Sequence, residues 1–98
     1  MDRLKEFDDL EKMLADEGIA YCREDTSEFG CSFHQLRADE NPGDRWTWDV
    51  ICFKGTFGYE QGLLEMWGKN MNDPEGYLTA KECFEKIKEI VENELESK

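Results

Sequence analysis

Residues 45–54, Arg-Trp-Thr-Trp-Asp-Val-Ile-Cys-Phe-Lys, restrict the fold of this chain more than any other segment. They are rich in β-branched and aromatic residues, which favours a strand. Alternate side chains of a strand point to opposite faces, and here both faces are largely apolar. Trp46, Trp48, Val50 and Cys52 share one face, and Thr47, Asp49, Ile51 and Phe53 share the other. We therefore expect a strand that is central in its sheet or covered on both sides.

Two further strands are predicted before this one, at residues 19–24 and 30–37. The second alternates Cys31, Phe33 and Gln35 with residues of the opposite face. Residues 25–30 are turn-like, and residues 41–44, Asn-Pro-Gly-Asp, fit a type II turn. Because short connections join antiparallel neighbours, the three segments predict a three-stranded antiparallel meander.

An amphipathic helix is predicted at each end of the chain. The first is capped by Asp2, stops at Gly18 and carries the apolar stripe Leu4, Phe7, Leu10, Met13 and Leu14. The second begins with the capping-box pattern of Thr79 and Glu82. Its stripe is Cys83, Phe84, Ile87, Ile90, Val91 and Leu95.

The segment 55–76 is rich in glycine and aromatic residues and has no clear period. Residues 63–67 fit either a short helix or a fourth strand, and residues 72–76 read as a loop. The predicted fold is therefore a single α+β domain over residues 1–98. It has an N-terminal helix, three strands, the Gly/aromatic segment and a C-terminal helix, with both helices on one face of the sheet. The other face would be exposed, covered by residues 55–76 or used in self-association.

Charge limits the classes of partner. The chain has 12 Lys+Arg against 24 Asp+Glu, a net charge of −12. Such a charge repels phosphate backbones and anionic lipid, so we expect neither direct nucleic-acid binding nor membrane binding. It favours a partner protein with a basic surface. No apolar run approaches the roughly 20 residues of a membrane span, and the acidic N-terminus is unlike a signal peptide, so we expect a soluble protein of the cytoplasm.

Acids of the first helix and of the segment after it are the predicted partner-binding residues. Asp16 and Glu17 stand at the helix end where the dipole disfavours negative charge, which suggests a role other than helix stability. The full set is Asp8, Asp9, Asp16, Glu17, Glu24, Asp25 and Glu28. The alternative is a solvated, acidic helix face with no partner.

The four cysteines, at positions 22, 31, 52 and 83, predict reduced and mostly buried thiols, since the cytoplasm keeps thiols reduced. Zinc is the alternative, because Cys31-x-x-His34 has ligand-like spacing and Cys22 and Cys52 lie on candidate neighbouring strands. Against zinc, the chain has no second close pair of ligands, and Cys31 and His34 would point to opposite faces of a regular strand. We therefore expect neither a metal nor a cofactor.

His34 is the single histidine and could act as a general base, but no nucleophile motif accompanies it. Residues 54–62 are rich in glycine and follow a strand, yet they lack the Gly-Lys-Ser/Thr ending of a phosphate-binding loop. A small-ligand pocket lined by His34, Phe57, Tyr59 and Trp67 stays open as an alternative. Packing of these aromatic residues in the core is the simpler interpretation.

Three segments together resemble a group of known sequences: Trp-Asp-Val-Ile-Cys at 48–52, Phe-Gly-Tyr-Glu-Gln-Gly-Leu-Leu-Glu-Met at 57–66 and Glu-Gly-Tyr-Leu-Thr-Ala at 75–80. They are similar to small uncharacterised proteins encoded by phages and prophages of Gram-positive bacteria. The resemblance lies within residues 48–87, less than half of the chain. It implies a mobile-element setting, in which small acidic proteins include inhibitors of host defence such as anti-CRISPR proteins.

The expected function is that of a small acidic binding protein, not an enzyme, acting in the host cytoplasm. It would engage a basic surface of a host protein, and could inhibit a nucleic-acid-binding defence protein by imitating DNA. One alternative is a small-ligand module or minor enzyme that uses residues 54–67 with His34. A second alternative is a self-associating structural component, for which a homodimer is the simplest form.

Overall fold

Two helices and five strands make up the protein in a computed structural model that describes residues 4–38, 47–69 and 71–96. In chain order the elements are α1 (Lys5–Glu17), β1 (Tyr21–Glu28), β2 (Cys31–Ala38), β3 (Trp48–Phe53), β4 (Leu64–Gly68), β5 (Glu75–Leu78) and α2 (Ala80–Glu96). A short 3-10 turn at Tyr59–Gln61 lies between β3 and β4. The strands form one antiparallel sheet in the order β1-β2-β3-β4-β5.

The chain is α+β, but the predicted three-stranded sheet is wrong because the sheet has five strands. β4 falls on residues 63–67, for which a fourth strand or a short helix was predicted as open alternatives. β5 was missed, because residues 72–76 were predicted to be a loop whereas the strand begins at Glu75.

β4 has five residues and ends at Gly68. β5 has four residues and begins at Glu75, which is flanked by Pro74 and Gly76. Strands this short, placed among turn-forming residues, carry too little alternation to be recognised. Their pairing with β3 and with each other is a tertiary effect.

The β1–β2 hairpin is longer than predicted. Residues 25–28 are not a turn, because β1 continues to Glu28 and pairs with β2 as far as Cys31. The turn is reduced to Phe29 and Gly30. The predicted cap Asp2, the predicted turn at 41–44 and the side chain of Leu95 lie outside the described residues.

The core lies between the helices and one face of the sheet, which we call the inner face. Residues paired across antiparallel strands share a face, and the pairs Leu36–Val50 and Val50–Met66 define the inner one. Both helices bury their apolar stripes against it. At most 4% of each core residue is exposed; the sheet and connecting residues are Leu36, Ala38, Trp48, Val50, Cys52, Leu64, Met66 and Leu78, and the helix residues are Phe7, Leu10, Leu14, Ala80, Cys83, Ile87 and Ile90.

The ends of the helices follow the local sequence. Gly18 ends α1 in the left-handed conformation (φ 72°), and its N–H donates to the carbonyl of Ala15. The predicted capping box is present, since the Glu82 N–H donates to Thr79 Oγ1 (3.2 Å) and the Thr79 N–H donates to Glu82 Oε1 (3.0 Å). Glu6 of α1 also accepts the N–H of Ala80 (2.9 Å), which ties the first helix to the start of the second.

Candidate functional site

The seven acids predicted to bind a partner do not form one uncompensated patch, since five of them contact cations of the same chain. The ion pairs are Asp8–Arg23 (3.0 Å), Asp9–Lys5 (2.9 Å), Glu17–Lys88 (3.8 Å), Glu24–Arg37 (3.1 Å) and Asp25–Arg23 (3.0 Å). Within the described ranges, Asp16 and Glu28 make no ion pair. Most of this negative charge therefore has a structural use.

Arg23 joins β1 to α1. Its guanidinium donates to Asp8 (3.0 Å), Glu11 (2.7 Å) and Asp25 (3.0 Å) and lies 4.9 Å from the centre of the Phe7 ring. Burial alone would lower the pKa of Arg23, but its bonds to the three carboxylates outweigh burial and raise it. The Arg23 side chain is 23% exposed. This cluster fixes the edge strand to the first helix.

His34 belongs to the same inner-face cluster. Its Nδ1 lies 2.6 Å from Asp25 Oδ1, and its ring lies 5.9 Å from that of Phe7. The hydrogen bond with His34, together with Arg23, holds the pKa of Asp25 below its usual range, although partial burial opposes this. Cys52 faces His34 across the strand pair, but burial and the charge of Asp8 raise its pKa to about 11. A nucleophilic cysteine needs the opposite, a lowered pKa.

The four residues considered for zinc are divided between the two faces of the sheet. Cys22 and Cys31 point away from the helices, whereas His34 and Cys52 belong to the inner face. All four cysteines are free: Cys52 and Cys83 are buried, Cys22 is half-buried and Cys31 is exposed. In the part of the chain that the structure describes, no three His, Cys, Asp or Glu side chains are grouped as a metal site.

The four residues considered for a ligand pocket are not brought together. His34 lies on the inner face of β2, whereas Trp67 of β4 points to the opposite face with its partner Asp49. Tyr59 packs against the core, and Phe57 is 65% exposed in the turn after β3. No common cavity contains them among the depressions found in the described residues.

The face of the sheet that points away from the helices, here called the outer face, is a different kind of surface. Its apolar residues form a strip across three strands and are half-buried: Phe33, Ile51, Phe53 and Trp67. The rings of Phe33 and Phe53 meet edge to face with centroids 5.0 Å apart. Around the strip stand four carboxylates, Glu24, Glu28, Asp49 and Glu65, and one guanidinium, that of Arg37. This face is therefore both apolar and acidic.

Among the described residues, a shallow groove lies on each side of Ile51 on the outer face. The larger, about 190 Å³, lies between β1 and β3 and is lined by Glu24, Thr26, Phe33, His34, Gln35, Ile51 and Phe53. The smaller, about 90 Å³, is lined by Asp49, Ile51, Glu65, Met66, Trp67 and Pro74. Each groove combines aromatic or aliphatic walls with a carboxylate, which suits an apolar side chain that carries or neighbours a positive charge.

The environment of Asp49 on the outer face disfavours its ionised form. Burial, and next the negative charge of Glu65, raise its pKa, although a hydrogen bond from Gln35 Nε2 (3.2 Å) opposes the shift. Glu65 itself accepts the N–H of Phe57 (2.8 Å).

Arg37 stands opposite Asp49 across β2 and β3 and forms an ion pair with Glu24 (3.1 Å), and Asp49 itself makes no ion pair with another described residue. A half-buried carboxylate that makes no ion pair is less stable than a paired one. A positive group brought to this face would stabilise the ionised form.

The tip of the β1–β2 hairpin presents the most exposed apolar side chain among the described residues, Phe29, which is 100% exposed. Phe29 and Gly30 form the two-residue loop, with φ of 51° and 76°. Positive φ at both positions is the property of a type I′ turn, which favours Asn-Gly. A left-handed conformation costs a non-glycine residue about 1 kcal/mol.

Sequence reasoning missed the outer-face strip and Phe29. Phe53 and Ile51 were assigned to one face of a strand, but their neighbours Trp67 and Phe33 become visible only once the strand order and register are known. A signal for Phe29 was present, since Phe-Gly lies between two polar, strand-compatible segments. It was hidden because residues 25–30 as a whole resemble a turn.

Comparison with protein-family models, curated proteins and solved structures finds no match. Within residues 4–38, 47–69 and 71–96, no helix is both long enough and apolar enough to cross a membrane.

Proposed function

We propose that this protein is a non-enzymatic binding protein whose outer sheet face covers a basic and partly apolar surface of a host protein. The observation that carries the proposal is the strip of Phe33, Ile51, Phe53 and Trp67 set among carboxylates. Aromatic residues supply most of the binding energy at protein interfaces, and complementary charge supplies steering and specificity. The host cytoplasm is the proposed compartment.

Charge supports a basic partner over a second copy of the chain. Four carboxylates and one guanidinium surround the strip, and the whole chain carries −12. Two such faces brought together would place like charges against each other. The raised pKa of Asp49, caused by burial and by Glu65, also favours a cation at this face.

Basic surfaces with apolar contacts are typical of proteins that hold nucleic acid. A protein of that class is the proposed target, and covering the surface would inhibit it. The resemblance to phage and prophage proteins agrees with a host defence protein as the target. The acids of α1 are assigned a smaller part, since Asp8 and Asp9 are already paired with Arg23 and Lys5.

The test is affinity purification from host lysate with three immobilised proteins: the wild type, Thr26→Lys and Ser27→Lys. Thr26 lines the larger groove on the outer face, and Ser27 is the next residue of the same strand on the opposite face. Both are exposed, so each variant adds one positive charge without disturbing the core. We expect Thr26→Lys to lose at least about tenfold of the captured protein and Ser27→Lys to lose less than about twofold.

Salt and charge reversal complete the test. Capture by the wild type should fall as salt rises, since the charges are exposed. Equal capture by both lysine variants would contradict the assignment of the outer face as the binding surface. Loss of capture only on reversing the charges of Asp16 and Glu17 would assign binding to α1 instead. Light scattering that gives two chains per particle for the wild type and one for Thr26→Lys would replace the proposal by self-association.

A further inference from the structure

We propose that Phe29 is the anchor of this interface and enters an apolar pocket, rimmed by basic residues, on the partner protein. This inference rests on the proposed function and adds to it the residue that supplies the largest share of binding. At the hairpin tip the backbone conformation favours Asn, Asp or Gly, and the sequence has phenylalanine there.

The left-handed backbone conformation at the tip favours a small or polar residue. Glu28 and Cys31 are paired, so only Phe29 and Gly30 form the loop, and both have positive φ. Asn, Asp or Gly meets this requirement at the first position, because those residues tolerate the left-handed region. Phenylalanine does not, and its ring also stands fully in solvent.

No contact within the described chain accounts for Phe29, since the residue is 100% exposed. Tyr77 makes a useful contrast, because among the described residues it is the second non-glycine residue with positive φ (59°). Its N–H donates to the carbonyl of Phe57 (3.2 Å), and the adjoining Gly76 backbone lies against Phe57. The conformation of Tyr77 thus follows from the packing of β5 against the turn that contains Phe57. That of Phe29 has no such explanation, and strain of this kind is found where function requires it.

The surroundings of Phe29 indicate the chemistry of its pocket. Residues 24–33 contain three acids and no Lys or Arg. Glu24 and Asp25 are paired with Arg37 of β2 and Arg23 of β1, which leaves Glu28 as the acid next to the tip. Glu28, which precedes Phe29 in the chain, is exposed and makes no ion pair within the described residues. Acids around an apolar anchor oppose insertion into an anionic membrane and docking on another copy of this chain. They suit a protein pocket bordered by Lys or Arg.

Strand pairing fixes the backbone that carries the ring. The pairs Glu28–Cys31, Ser27–Ser32 and Thr26–Phe33 hold the tip, and a residue placed in advance loses less entropy when it binds. Thr26 and Phe33 also line the larger groove of the outer face. The anchor and the groove therefore lie on one continuous surface.

The test compares Phe29→Asn, Phe29→Tyr and the control Phe57→Asn. Asn-Gly is the preferred type I′ pair, so Phe29→Asn should raise the melting temperature. It should also lower capture from lysate, and the affinity for the captured protein once that protein is purified, by at least about tenfold. Phe29→Tyr should stay within about threefold of the wild type, and Phe57→Asn, which removes another exposed ring, within about twofold.

Several results would overturn the anchor. They are full capture by Phe29→Asn, an equal loss with Phe57→Asn, or a melting temperature that falls on Phe29→Asn. Co-sedimentation with phosphatidylglycerol vesicles that depends on Phe29 would assign the ring to a membrane and also overturn it. If Thr26→Lys abolishes capture while Phe29→Asn does not, the proposed function stands and the anchor fails. If the wild type captures nothing, both fail.

Discussion

The two faces of the same sheet differ in what covers them. On the inner face, Trp48, Val50 and Cys52 of β3 are at most 1% exposed beneath the helices. On the outer face, Ile51 and Phe53 of the same strand are half-buried and have carboxylates for neighbours. Alternation along one strand thus serves two purposes. The inner residues stabilise the fold. The outer residues form a partly apolar surface that the fold does not need for its core.

The largest expected effect comes from removing an inner-face aromatic. Trp48→Ala should lower the free energy of unfolding by about 3–5 kcal/mol, because it leaves a cavity in a closed core. The outer-face change Phe53→Ala should cost about 1–2 kcal/mol, since a half-buried ring loses less buried area. Urea denaturation followed by circular dichroism measures both. Equal costs would mean that the outer face is part of the core.

Thiol reactivity gives the next largest contrast. Burial raises the pKa of Cys52 to about 11 and that of Cys83 to about 12, so very little thiolate is present at pH 8. We expect Cys31, which is exposed, to react with a disulfide reagent at least about a hundredfold faster than Cys52 or Cys83. All four thiols should react after denaturation, with or without chelator. One zinc per chain by elemental analysis would contradict this.

A smaller effect is expected at the joint between β1 and α1. Arg23→Met leaves Asp8, Glu11 and Asp25 without their shared cation and should cost about 1–2 kcal/mol, a value reduced because the site is partly open to solvent. The matched control is Lys5→Met, which breaks the exposed pair with Asp9 and should cost less than about 0.5 kcal/mol. A cost for Arg23→Met no larger than that of the control would contradict a structural role for this cluster.

The smallest expected effect is a gain in stability. Because burial raises the pKa of Asp49 in the folded state, the folded protein binds a proton at this site more readily than the unfolded chain does. The ionised carboxylate therefore costs stability above the folded-state pKa, and that cost disappears as the pH falls below the unfolded-state pKa of about 3.9. Asp49→Asn should raise the melting temperature at pH 7 and have no effect near pH 3, if the fold persists there.

A pH-independent effect of Asp49→Asn, or a loss of stability at pH 7, would show that the ionised Asp49 carboxylate does not destabilise the fold. The same variant should bind the partner less well, because it removes a negative charge from the outer face. A gain in stability joined to a loss of binding is the usual mark of a residue kept for function.

The elements that could be predicted from the sequence are those whose signals are local. The stripe of α1, its stop at Gly18, the capping box of α2 and the strand at Trp48–Phe53 depend on neighbours within a few residues, and all are present. The sequence left β4 open between a helix and a strand and missed β5, because their pairing partners, rather than their own residues, make them strands.

The candidate site was harder to predict than the fold, because the sequence shows that a residue is charged but not which face of the molecule its side chain occupies. Glu24 and Asp25 are adjacent in the chain, yet Asp25 joins Asp8 of α1 in binding Arg23 on the inner side whereas Glu24 stands on the outer face. Glu24 and Asp25 are separated because β1 extends through both of them to Glu28, and the sequence predicted a turn there instead. The outer-face strip likewise needs three strands, β2, β3 and β4, in order before Phe33 and Trp67 become parts of one surface.

Hydroxyl-radical footprinting of the complex with the captured protein tests the central claim most directly. Phe33, Phe53 and Trp67 report on the outer face, and the exposed Phe57 and Tyr77 serve as internal controls. We expect binding to reduce oxidation of the three outer-face rings by at least about threefold and to leave both controls unchanged. Unchanged oxidation of Phe33, Phe53 and Trp67 in a saturated complex would contradict the assignment of the outer face as the binding surface.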